Sequence, residues 1–219
     1  MHSILCEGRY DVCFFDQVSI ERNIRTHPTY DLNKYLELAS PMCSHYIKIN
    51  NPLIILGDNG KFDACNKYLT RIVKNKLGKF EEDILIVYIV DSDYCSDDIL
   101  ISKLSEILDS LRSGNSFMNK ISIIRSKNEF VLEHPNARHK IFIKTFTIPE
   151  SLEKKVMHYY CSKYGIKNKE QSPHEFIDNI ARKHYCNDRE KMFREVAEKC
   201  GTEEWVTKIF KDLPTQFSF

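Results

Sequence analysis

Residues 84–93 read ILIVYIVDSD, an unbroken apolar run from Ile84 to Val90 closed by Asp91, Ser92 and Asp93. A run with no polar alternation is the pattern of a strand covered on both faces, as strands are in a parallel sheet. The aspartates then mark its carboxyl end, the edge where open α/β sheets bind ligands. Positions i and i+2 share one side of an extended segment, so Asp91 and Asp93 project together.

On either side, short apolar runs alternate with amphipathic stretches. Ser3–Cys6 and Pro52–Leu56 read as strands, the second stopped by Gly57 and the turn residues Asp58-Asn59-Gly60. Tyr10–Ile24, Lys61–Leu77 and about Asp98–Arg112 carry apolar residues at helical spacing. Strands follow at Ile121–Ile124 and Lys140–Phe146. Strands separated by helices of this length predict an α/β fold with a doubly wound, mostly parallel sheet flanked by helices. Segment 25–47 is long for a connection and reads as an insertion, whose Tyr30, Tyr35, His45 and Tyr46 either stack on bases or pack the insertion down. After Phe146 only helical signals remain, opened by Pro149-Glu150-Ser151, Ser172-Pro173, Asn187-Asp188 and Thr202-Glu203-Glu204. The expected division is an α/β domain over 1–146 and a C-terminal helical annex over 147–219.

Composition narrows the function classes. The 219 residues, 42% hydrophobic and 29% charged, are enough to bury a core of ordinary globular type. The net charge of +1 provides no global field for a polyanion, so any nucleic-acid contact must use a local patch. The eight cysteines include no CxxC pair and fit neither a zinc ribbon nor a disulfide framework. No apolar run reaches the roughly 18 residues of a membrane span, and the amino terminus does not read as a signal peptide. The expected compartment is a reducing cytoplasm, with no membrane partner.

A second acidic constellation is ILCEGRYD, residues 4–11. A core strand ends in Glu7, Gly8 lets the chain turn, and a helix starts. A carboxylate following a buried strand needs a cation or donors nearby. Asp11 has two readings: a ligand on the same side as Glu7, or an acidic residue in the first helical turn favoured by the dipole. Glu7, Asp91 and Asp93 at one sheet edge repel unless a cation intervenes or one takes a proton. Mg²⁺ suits that arrangement, with Mn²⁺ as a substitute, because it takes oxygen ligands, keeps waters and needs few carboxylates. Asp97 and Asp98 are expected to cap the following helix.

The pairing of Glu7-Gly8-Arg9-Tyr10-Asp11 with Asp91-Ser92-Asp93, two strand–helix units later, resembles the Toprim domain. That domain is shared by bacterial primases, type IA and type II topoisomerases, RNA-maturation nucleases and OLD-family nucleases. Leu56-Gly57 looks like its central glycine turn, and the likeness covers roughly residues 1–146. The resemblance implies a Toprim-like (Rossmannoid) sheet, Glu7 as acid/base and metal ligand, and Asp91 and Asp93 as holders of Mg²⁺. Ser96 stands where many members have glycine, and the 25–47 insertion is also a departure. Neither removes a ligand. The short chain, with no ATPase segment, looks more like a standalone Toprim protein than a full OLD nuclease.

Basic residues complete the expectation. The segment GDNGKF, residues 57–62, is not a P-loop, since Ile55 falls where the first glycine belongs and Phe62 replaces the metal-binding hydroxyl. Lys61 is still a phosphate-binding candidate at a helix start, against a plain turn. Arg125 and Lys127 follow a strand and are candidates for neutralising a scissile phosphate, against a solvated loop. His134 and His139 read as an exposed turn rather than a metal site. The leading expectation is a Mg²⁺-dependent phosphoryl-transfer enzyme, a nuclease cleaving DNA or RNA, with Glu7, Asp91 and Asp93 catalytic and Asp11 a further ligand. The alternatives are a non-catalytic metal-dependent nucleic-acid-binding module and a small-molecule phosphatase with Asp91 as nucleophile. In the former, a protein partner docks on the C-terminal helices and aromatic tail (Trp205, Phe210, Phe217, Phe219).

Overall fold

The computed structural model describes residues 2–31, 33–34, 52–57, 67, 69–71, 83–92, 96–113, 116, 118–167, 171–211 and 213. The strands are β1 (His2–Cys6), β2 (Thr26–Thr29), β3 (Leu53–Gly57), β4 (Ile84–Asp91), β5 (Ser122–Ser126), β6 (Glu129–Glu133) and β7 (Ile141–Ile148). The longer helices are α1 (Arg9–Glu21), α2 (Asp97–Arg112), α3 (Leu152–Tyr164), α4 (Pro173–His184), α5 (Arg189–Cys200) and α6 (Glu204–Lys211). The strands form one seven-stranded sheet in the order β2-β3-β1-β4-β7-β6-β5. The first five in that order run parallel, and β6 is antiparallel to both β7 and β5.

Alternation along the strands sorts side chains between two layers. Leu5, Ile54, Ile86, Tyr88 and Val90 pack against Leu100, Leu104, Leu108 and Leu111 of α2. Ile4, Ile55, Val87 and Ile89 face the opposite way, into a cluster with α1 and with Val156, Tyr160, Phe176, Phe193, Val196 and Phe210. The C-terminal helices therefore share a core with the sheet rather than forming an annex of their own. The expected boundary at 146/147 falls within β7.

Two strands were not expected. β2 is THPT, with Pro28 and His27 weakening its strand signal, and it pairs only with β3 at the sheet's edge. It occupies the start of the expected 25–47 insertion. β6 is EFVLE, whose Phe130 and Leu132 are buried at period two, and it pulls β5 into a hairpin. The expected helix 61–77, apart from Lys67 and Leu69–Arg71, lies outside the described residues, as do Asp58–Gly60, Tyr35, His45, Tyr46, Phe217 and Phe219. Trp205 and Phe210 pack inward rather than serving as partner hooks. Trp205 stacks on Phe14 at 5.8 Å between ring centroids, and Phe210 is buried.

The glycine that geometry demands is Gly57. A Cβ on it would lie 2.5 Å from the Gly8 carbonyl oxygen and 2.6 Å from Val12 Cγ2. The Gly8 carbonyl in turn accepts the Val12 amide in the first turn of α1, at 3.2 Å. Gly8 itself has extended backbone (φ −149°), and a Cβ there would meet Asp11 Oδ2 at an ordinary 3.9 Å. The expected sharp turn at Gly8 is therefore not what glycine supplies; the close approach belongs to the partner strand. Gly57→Ala must displace backbone, and we expect it to cost about 1–3 kcal/mol in urea unfolding. Wild-type stability in that variant would contradict the packing described.

Candidate metal centre

β1 lies between β3 and β4, with Leu5 opposite Leu56 on one side and Tyr88 on the other. Continuing the β1–β4 register by two places sets Glu7 beside Val90, one residue from Asp91. The contact closes as that offset requires: the Asp91 amide donates to Glu7 Oε1 at 3.3 Å. Asp91 is buried, at 7% exposure, at the last position of β4. The chain beyond it is pinned, because the Ser92 amide donates to the Ile148 carbonyl at 3.0 Å and Ser92 Oγ to the Pro149 carbonyl at 2.8 Å. Two adjacent central strands thus present Glu7 and Asp91 at one carboxyl edge. Asp93 and Lys61 lie outside the described residues.

Asp11 belongs to the same edge, with a capping task. Its Oδ2 accepts the Gly8 amide at 2.8 Å, the carboxylate half of a capping box at the start of α1. Loss of solvent around this carboxylate, then the negative charge of Glu153, pushes its pKa up to about 7; amide hydrogen bonds from Gly8 and Glu7 offset part of that, and Glu7's charge adds to it. Glu153, in the first turn of α3 beyond the end of β7, is a further acidic residue at this edge and belongs to neither acidic motif. Its signal was its place one turn after a core strand, behind the Ser151 cap. The buried Cys6 thiol is pushed well above its ordinary range by burial first, and then by the charges of Asp11, Glu7, Cys13 and Asp91.

The geometry corrects several other expectations. Ser96, rather than Asp97 or Asp98, caps α2, its hydroxyl accepting the Ile99 amide at 3.5 Å. Asp97 instead accepts from Thr147 Oγ1 on β7 at 2.5 Å. Arg125 and Lys127 do not reach the site. Arg125 aligns through Phe130 with Ile143, and so with Ile86, five residues before Asp91 and three strands across. At about 3.3 Å per residue and 4.8 Å per strand, that is roughly 20 Å away. Its guanidinium pairs with Asp109 on α2 at 2.5 Å. Lys127 sits in the β5–β6 hairpin turn, exposed to solvent. His134 is buried rather than exposed, its Nδ1 accepting the Asn136 amide at 3.1 Å. His139 lies near Asp83, at the opposite end of β4 from Asp91.

Chemically, the edge offers hard oxygen donors in a strongly negative field. Among the described residues no set of three His, Cys, Asp or Glu side chains stands close enough to hold a metal ion. Glu7 and Asp91 form a pair of candidate ligands, a number that suits a cation retaining several waters.

Comparison of the chain with protein-family models, curated proteins and solved structures gives no match. The fold stands as α/β. It is a mostly parallel seven-stranded mixed sheet flanked by helices. Among the described residues no helix is long and apolar enough to cross a membrane.

The raised pKa of Asp11 gives a signed expectation. Its folded-state value exceeds the ordinary 3.8, so the neutral form favours folding; that contribution is complete below about pH 4 and is lost as pH rises toward 7. In EDTA, we expect Asp11→Asn to flatten the decline in Tm between pH 5 and pH 8 seen in the wild type. Parallel Tm profiles for the two proteins would show that the carboxylate is not desolvated as described.

Proposed function

We propose that this chain is a Mg²⁺-dependent phosphodiesterase acting on nucleic acid, a Toprim-like nuclease. The observation that carries the reading is the Asp91 amide bound to the Glu7 carboxylate. It brings together the two acidic motifs, 84 residues apart in sequence, at the ligand-binding edge of a parallel sheet. A bound divalent cation would neutralise the edge and polarise a phosphate oxygen.

In this reading Asp91, with Asp93 beyond it, would hold the cation. Glu7 moves a proton to or from the reacting oxygen, within hydrogen-bonding reach of the Asp91 backbone. Ser92 orients this group: its two bonds to the end of β7 hold the turn after Asp91 in place. The five described cysteines are free thiols, in keeping with a reducing cytoplasm as the place of action. The small-molecule phosphatase reading leaves Glu7 without a task, whereas here it contacts the very residue that reading would make the nucleophile.

The non-catalytic reading draws on one observation. Arg125, the sequence candidate for offsetting charge on the scissile phosphate, is held by Asp109 far from the edge. Cleavage assays separate the two readings. With Mg²⁺ or Mn²⁺ the purified chain should cut single- or double-stranded DNA or RNA, and EDTA should stop it. Asp91→Ala and Glu7→Gln should each lower the rate by about 10²-fold or more. Tight binding without turnover, unaffected by Glu7→Gln, would favour the non-catalytic module instead.

A further inference from the structure

A polyanion cannot rest its neighbouring phosphates on Glu7, Asp11, Asp91 and Glu153, so a substrate strand needs positive charge close beside that edge. Arg125 and Lys127 are too distant to provide it. The first turn of α1 lies next to it. Arg9, two residues past Glu7, forms an ion pair with Glu190 and places its guanidinium 5.4 Å from the ring centroid of Tyr30. Tyr30 follows the last residue of β2 and keeps 46% of its surface exposed. Arg9 and Glu190 tie the start of α5 to the start of α1, and between these helices and the end of α4 opens a cavity of about 420 Å³.

Tyr10, Asp178, Ala181, Arg182, Asn187 and Arg189 line this cavity. Tyr10 forms one wall, stacked on Phe193 at 4.9 Å between centroids. Arg189 is paired with Asp178 and lies 5.9 Å from the Tyr10 ring. Asn187 stands at φ +67° in the tight α4–α5 connection and lines the same opening as Arg182 and Arg189. Arg182 is exposed and has no ion pair among the described residues. Lys183 and His184 extend the basic last turn of α4. Arg9 and Arg189 are each balanced by one carboxylate, which leaves Arg182 as the cavity-lining charge without a carboxylate partner among the described residues. A guanidinium that lines a polar opening and has no carboxylate partner among the described residues matches the forked donor geometry that phosphate accepts.

Resting on the proposed phosphodiesterase reading, we propose that the Arg182–Arg189 cavity seats a backbone phosphate of a nucleic-acid strand flanking the one held at the carboxylate edge. Arg9 and Tyr30 form an adjoining contact surface, with the exposed tyrosine ring as a stacking platform for a base.

The test is fluorescence anisotropy with a fluorescein-labelled single-stranded 12-nucleotide DNA, in EDTA, at a series of salt concentrations. Removing the divalent cation isolates the seat from the carboxylate edge. Arg182→Ala, an exposed change expected to fold, should weaken binding about tenfold and reduce the salt slope by about one. Arg125→Ala, with a circular dichroism melt on each protein, serves as the charge control and should leave affinity unchanged. Equal loss in both variants, no loss in Arg182→Ala, or no binding by the wild type overturns the seat. The enzymatic reading is decided separately: an Arg182-dependent binder that never cuts with Mg²⁺ retains the seat and loses the nuclease, and a Mg²⁺-dependent nuclease indifferent to Arg182→Ala does the reverse.

Discussion

Like charges at the ends of neighbouring buried strands repel, and the carboxyl edge of this sheet is arranged around that repulsion. Glu7 follows β1 and Asp91 ends β4, each the continuation of a strand whose other residues are sealed in apolar layers. The Asp91 amide offers Glu7 one hydrogen bond, and the Gly8 amide offers Asp11 another. These neutral donors reduce the cost without removing it, as the rise of the Asp11 pKa to about 7 records. A proton on one carboxylate, or a divalent ion between two of them, would provide the remainder. Deprotonated ligands bind metal best, so uptake of a cation at this edge would be linked to proton release.

The scaffold that imposes this crowding was largely legible in the amino-acid order. The unbroken apolar run Ile84–Val90 reads as a doubly covered strand, and Ser3–Cys6, Pro52–Leu56 and Lys140–Phe146 carry enough apolar length to be recognised. β2 escaped because Pro28 and His27 suit only an edge position, where pairing to β3 rather than intrinsic preference decides. β6 escaped because two buried residues at alternate positions are too few to stand out. That omission had a consequence: without β6, Arg125 reads as following a strand that reaches the ligand edge, whereas the hairpin register stops it near the level of Ile86.

The site was legible in part for a similar reason. Strand ends fix where a carboxylate emerges, so Glu7 and Asp91 could be placed from their positions alone. Which glycine the site needs depends on distances between strands, invisible in one dimension; Gly57 approaches Gly8 because β1 and β3 happen to be neighbours. Likewise Glu153 joins the edge only because β7 lies beside β4. The basic cavity at Arg182 and Arg189 depends on α5 folding back across α1, a tertiary contact between residues some 180 positions apart.

If Glu7 and Asp91 share a hard cation, a crystal soaked in Mn²⁺ will show an anomalous peak within about 2–2.5 Å of an oxygen from each carboxylate, completed by waters. An anomalous map that is flat between the two side chains at saturating Mn²⁺, with both carboxylates ordered, would contradict it.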